Sequence, residues 1–190
     1  MKSFLSFLFI LLATLCVNAD SSLYERGKEL FEAKDYDKAV KAFVLAANTG
    51  DLDAMNAVGI MYISGWGVEQ SDQLGLEYIT KAANQSHPKA QYSLGAIYYL
   101  GVGVPVDFDE AFSWLSLSAK QGYLDAQHNL AEMYETGKGV DKNLKKAYEY
   151  YLMAARKHNL DSQIKVAAMY RDGIGTEKNL EKSQYWLDQV

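Results

Sequence analysis

The sequence of 190 residues holds a single cysteine, Cys16. It stands in a segment that opens with Lys2, continues as an apolar run from Phe4 to Leu15, and ends on Val17-Asn18-Ala19 before Asp20. A basic start, a short apolar stretch and small residues at the −3 and −1 positions predict a secretory signal peptide over residues 1–19. The run of 12 residues is too short for a bilayer span, which needs roughly 20. No stable membrane insertion is therefore expected after cleavage. Leu15 is also a poor neighbour for lipid attachment at Cys16. The mature chain is expected to be exported, to a periplasm or fully secreted, without a thiol. It can form no disulfide and offers no thiolate to a metal, so its cohesion must come from hydrophobic faces.

Basic charge is scarce as well. Only Lys2 among the 19 Lys and Arg residues lies in the leader, which leaves 18 against 24 Asp and Glu. Nucleic acid and anionic membrane surfaces both reward a basic face, so neither is the expected partner. Strand-like alternation is missing too. Small and apolar residues recur at three- and four-residue steps, as in Ala90, Leu94, Ile97 and Tyr98, which is helical periodicity.

What the chain does have is a repeat. Tyr62-Ile63-Ser64-Gly65-Trp66-Gly67 returns as Tyr98-Tyr99-Leu100-Gly101-Val102-Gly103, Tyr134-Glu135-Thr136-Gly137-Lys138-Gly139 and Tyr170-Arg171-Asp172-Gly173-Ile174-Gly175, each time 36 residues on. A fixed period of this size marks a stacked architecture. In register, small residues form columns at Gly59, Gly95, Ala131 and Ala167, and at Gly75, Ala111, Ala147 and Ser183. Aromatics form another at Tyr78, Trp114, Tyr150 and Trp186. Small columns let two helices approach closely, and large rings fill the space between layers. Helix A is expected at about 52–64 and helix B at about 72–85, with equivalents every 36 residues. Ser71, Asp107, Asn143 and Asn179, with Asp35 in the same column, are expected to cap helix B. Pro88 suits the first turn of a helix A.

The columns carried by Ala90-Gln91-Tyr92-Ser93-Leu94-Gly95, Gly101-Val102-Gly103-Val104, Asp107, Ala111, Trp114, Ala119 and Gly122 resemble the Sel1-like repeat. The resemblance divides the chain into units at 52–87, 88–123, 124–159 and 160–190, the last shortened within helix B. Residues 20–51 resemble the related tetratricopeptide unit through Gly27, Leu30, Ala39, Phe43 and Ala46, as an N-terminal capping repeat. The resemblance implies an all-α fold, a right-handed α-solenoid of stacked helix pairs. It also implies a non-enzymatic adaptor that binds a protein or peptide through a concave face lined by helix A, as periplasmic regulator, virulence-associated factor or immunity protein. A cysteine-rich branch of the family is linked to penicillin binding or β-lactamase activity, so a cell-wall or β-lactam hydrolase is the alternative. This chain lacks those cysteines, and none of that chemistry is carried over. The shortened last unit is expected to leave apolar surface near Trp186 and Leu187, or to cover it by association, including as a homo-oligomer.

No motif argues for a cofactor or metal. Gly65-Trp66-Gly67 follows a helix and lacks the third glycine and the preceding strand of a dinucleotide loop; it reads as a tight turn with φ > 0. Ser86-His87-Pro88-Lys89 spells the S-x-x-K of penicillin-recognising enzymes, but the S-D-N and K-T-G companions do not occur. His87, His128 and His158 fall in three different columns, unlike metal ligands at close helical spacing. Residues that the repeat leaves free to vary are the better candidates for specificity. Helix A carries them at i, i+4, i+7 as Asn56-Ile60-Ile63, Tyr92-Ala96-Tyr99, His128-Glu132-Glu135 and Ile164-Ala168-Arg171, one stripe per helix. Candidate partner-binding residues are therefore Ile60, Ile63, Trp66, Tyr92, Tyr99, His128, Glu132 and Glu135. The competing reading is that part of this stripe packs inside.

Overall fold

The computed structural model describes residues 23–190, and the segment assigned to a signal peptide lies outside them. Among the described residues every regular element is a helix. The first, α1, is described over 23–32. It is followed by α2 (Tyr36–Asn48), α3 (Leu52–Ser64), α4 (Asp72–Asn84), α5 (Pro88–Leu100) and α6 (Phe108–Lys120). Then come α7 (Leu124–Thr136), α8 (Leu144–Ala155), α9 (Leu160–Asp172) and α10 (Leu180–Leu187). Helices A and B of the first 36-residue unit therefore fall within a residue of their expected bounds. Contacts divide the chain into two compact units, Met1–Ala90 and Gln91–Val190.

The chemistry that starts and stops each helix is local. Ser71, Asn143 and Asn179 accept the backbone N–H three residues on, and Asp107 accepts two, from Asp109 and Glu110. Each such cap is worth about 1 kcal/mol. Asp35 departs from its column. Its backbone is not extended (φ −85°, ψ 68°), its side chain makes no cap hydrogen bond, and its carboxylate pairs with Lys38 Nζ at 2.6 Å instead. Helix A has caps that the sequence reading did not name. Asp51 accepts from Ala54 N, Asn159 from Ser162 N, and His87 Nδ1 from Ala90 N.

In the N-terminal unit α2 packs on α3 and α3 on α4. The last pair touches backbone to backbone, because a Cβ at Gly59 would lie 2.8 Å from the Gly75 carbonyl oxygen. In the C-terminal unit the order continues from α6 to α10, each helix packed on the next. Ala111, Ala131, Ala147 and Ala167 are buried there, so the small columns serve as contact lines in both units. Rings stack within a helix pair, Tyr62 on Tyr78 at 5.9 Å and Tyr134 on Tyr150 at 5.8 Å.

The two glycines of each inter-helix loop have different duties. The first ends helix A in the left-handed region, as at Gly137 (φ 79°), where a Cβ would come no nearer than 3.3 Å, to the Lys142 side chain. The second is pressed against the start of the previous helix B. A Cβ at Gly139 would sit 2.0 Å from the Phe108 carbonyl oxygen, and one at Gly67 2.3 Å from that of Tyr36. No side chain fits at that distance.

Candidate functional site

Helix A carries the candidate stripe, and its burial is set by what each neighbouring helix brings against it. In the N-terminal unit Asn56 is fully buried. Ile60 and Ile63 are half-buried, and Ile63 covers Gly75 of α4. Trp66 is 39% exposed, stacked on Tyr36 at 5.9 Å and edge-on to Phe31 at 5.3 Å.

In the C-terminal unit the same stripe is largely bonded. Tyr92 leans on Tyr123, and burial followed by the nearby Asp125 raises its hydroxyl pKa. Tyr99 meets Phe108 edge-on and accepts a hydrogen bond from Lys138 Nζ at 2.9 Å. His128 Nδ1 lies 2.8 Å from Ser162 Oγ, and its ring stands edge-on to Tyr151. Glu132 is exposed, whereas Glu135 accepts from Tyr151 Oη at 2.7 Å and from Lys165 Nζ at 2.9 Å. Partial burial pushes the Glu135 carboxyl up, but those two donors outweigh it and hold the group below its ordinary range. Burial, then the Glu135 hydrogen bond, raises the Tyr151 hydroxyl far above its usual value, so it stays a neutral donor. Arg171 turns away to its neighbour Asp172 at 2.7 Å, and Ile164 is 48% exposed.

A further column escaped the sequence reading. Gln127 and Gln163 are buried, and each donates from Nε2 to a carbonyl in the last turn of the preceding helix B, Ala119 and Ala155 respectively. Gln91, 36 residues earlier, accepts from Gln121. Their constant spacing was the available signal.

Ser86 lies in the turn between units with φ 63°, beside the capping His87, and that segment also brings His87 Nε2 to 3.5 Å from Asp53. Ser162, which touches His128, is fully buried. Among the described residues no three His, Cys, Asp or Glu side chains converge on a metal-sized space, and no helix is long and apolar enough to cross a membrane. At the end of the chain Trp186 packs partly against the core, while Tyr185 and Leu187 are 58% and 49% exposed.

Antiparallel helix pairs, a 36-residue register and loop glycines wedged against the preceding pair define a helical repeat protein of the solenoid class. The Sel1 repeat model matches residues 18–51, 52–87, 88–123, 124–159 and 160–189, and the chain belongs to the Sel1 repeat family. Among solved structures it is similar to c5321, a protective antigen of uropathogenic Escherichia coli strains with an SLR fold, at 29% identity and TM-score 0.81. That match covers 90% of this chain and 37% of the antigen. A Sel1 repeat protein from Oxalobacter formigenes is 34% identical with TM-score 0.77, over 81% of this chain and 45% of its own. This chain thus spans less than half of either relative. Pseudomonas aeruginosa PA5086, at 22% identity and TM-score 0.64 over 90% and 64% of the two chains, shares the fold. No curated protein matches the sequence.

Proposed function

We propose that this chain is an exported, non-enzymatic interaction scaffold that binds a protein or peptide through the helix-A face of its repeats. The observation that carries the reading is the helix-A stripe. Ile60 and Ile63, with Trp66 in the loop that follows, offer partly exposed apolar and aromatic surface in the N-terminal unit, and Tyr92 and Tyr99 do so in the C-terminal one. Aromatic groups of this kind are enriched where proteins meet, and a preformed frame lowers the ordering cost of binding. The apolar leader at Phe4 to Leu15 supports export to a periplasm or beyond. Within that reading the chain acts as a regulator, a virulence-associated factor or an immunity protein, each of which needs specific capture of another protein.

The test is capture of cross-linked partners from the exported fraction by the mature protein, repeated with two paired variants. Ile60→Ala with Ile63→Ala probes the N-terminal unit, and Tyr92→Ala with Tyr99→Ala probes the C-terminal one. Loss of a partner with either folded pair supports the reading. Undiminished capture by both moves the interface off helix A, and turnover of nitrocefin or peptidoglycan would replace the scaffold with a hydrolase.

A further inference from the structure

Within the N-terminal unit, α1, α3 and the first turn of α5 enclose a cavity of about 170 Å³. Its walls are mostly rings and aliphatic groups, among them Tyr24, Phe31, Phe43, Ile60 and Trp66. One polar side chain, Asn56, is set into that lining. It is fully buried, and neither its Nδ2 nor its Oδ1 has a hydrogen-bond partner. A buried carboxamide left without partners is destabilising, a cost that the fold carries without any return in stability. Two ammonium groups stand at the rim, and both face carboxylates: Lys28 Nζ is 2.9 Å from Glu25, and Lys89 Nζ is 4.0 Å from Asp53.

We infer that this cavity is the anchor pocket for a neutral peptide segment of the partner. It takes one Leu- or Phe-sized side chain, with the adjoining backbone amide paired to Asn56. The size admits one large apolar side chain. The rings favour an apolar or aromatic filler over a polar one. A carboxamide is both donor and acceptor, and a peptide bond is its complement, offering one C=O and one N–H. The rim lysines already face carboxylates, so the pocket does not select for an anion. Both Asn56 atoms are covered, so the ligand amide reaches them by parting the rim, where Lys28 is exposed and would leave its surface pairing with Glu25. The inference rests on the scaffold reading above and narrows it to one pocket and one chemistry.

The experiment uses the full mature chain and three probes at millimolar concentration: N-acetyl-phenylalanine methylamide, N-acetyl-phenylalanine with a free carboxylate, and toluene. Binding is followed by the Asn56 side-chain NH₂ resonances and by the Trp66 indole N–H resonance. The methylamide is expected to shift both, and to bind about tenfold more tightly than toluene, the factor that one well-made hydrogen bond supplies. The free acid should gain nothing over the methylamide. In Asn56→Leu, and in Asn56→Ala as a check against overfilling, the preference for the methylamide over toluene should vanish while the helical circular dichroism stays intact.

An unshifted Asn56 resonance, or a preference that survives both variants, overturns the pocket. Tighter binding of the free acid overturns the neutral-peptide assignment. The scaffold reading fails separately, when both helix-A pairs retain full capture of the partner. A pocket that fails while either helix-A pair loses its partner leaves that reading standing.

Discussion

Asn56 and His128 occupy the same position of helix A two repeats apart, and the chain treats them in opposite ways. The asparagine lies buried in the N-terminal unit with both amide atoms unbonded, beside a ring-lined cavity. The histidine, in the C-terminal unit, is tied to Ser162 of the following repeat. The contrast extends around each residue. In the N-terminal unit Phe31, Tyr36 and Trp66 hold successive repeats together by ring contact. In the C-terminal unit ring contacts between repeats, Phe112 on Tyr134 and Tyr148 on Tyr170, are joined by polar ties: Lys138 to Tyr99, Lys165 to Glu135, and Lys157 Nζ to the Gly122 carbonyl at 2.6 Å. Rings can slide and part to admit a ligand, whereas directed hydrogen bonds close the surface. One frame thus carries a surface suited to adaptation and another suited to rigidity.

The largest expected effect tests what both regions share. Gly139→Ala should cost about 3 kcal/mol or more, because its Cβ collides with the Phe108 backbone and the residue keeps φ 67°. Gly137→Ala, with its nearest atom at 3.3 Å, should cost about 1 kcal/mol. Urea unfolding of the two variants checks this, and equal midpoints would refute the wedge.

Next comes the contrast itself. His128→Leu should lose about 1–2 kcal/mol, since it abandons the buried Ser162 hydroxyl. Asn56→Leu should gain about 1 kcal/mol by removing an unsatisfied amide. Opposite shifts in thermal midpoint sustain the comparison, and shifts of the same sign break it.

A smaller effect depends on pH. The Glu135 carboxyl is held below its unfolded value in the folded protein, so it stabilises the fold above the ordinary carboxylate range. That contribution is lost as pH falls through its depressed pKa. Glu135→Gln should therefore destabilise by about 1 kcal/mol at neutral pH and by nothing measurable once the native carboxyl is protonated. Unfolding curves at pH values on either side would show it. Smallest of all, His158→Gly should raise stability by about 0.5–1 kcal/mol, because His158 is exposed and held at φ 64° in the turn column that Gly50 and Gly122 also occupy.

The repeat frame was legible because its determinants are local and recur. Small columns, cap residues and loop glycines each act within a few residues of themselves, so reading units in register recovers helix bounds to within a residue at α3 and α4. Asp35 shows where that logic ends, since the cap position is kept but the backbone angle is not. The candidate stripe was legible only as a set of variable positions. Whether Glu135 faces a partner or accepts from Tyr151 is decided by a residue 16 positions away on another helix. Asn56 was visible as a variable residue, but its unbonded burial depends on which rings α1 brings over it. Gln127 and Gln163 were missed although their period is the same as the glycines'.

The glycine wedge has a consequence for how such a chain lengthens. Gly139 abuts the start of α6 and Gly175 the start of α8, at Leu144, so each loop fits the helix B that precedes it by one unit. A copied stretch of one period therefore brings along both a glycine to insert and a helix start to receive the next one. Such a chain can grow or shrink by whole units through duplication or deletion, leaving the joint intact. Changes of a few residues would put the glycine out of step with its socket.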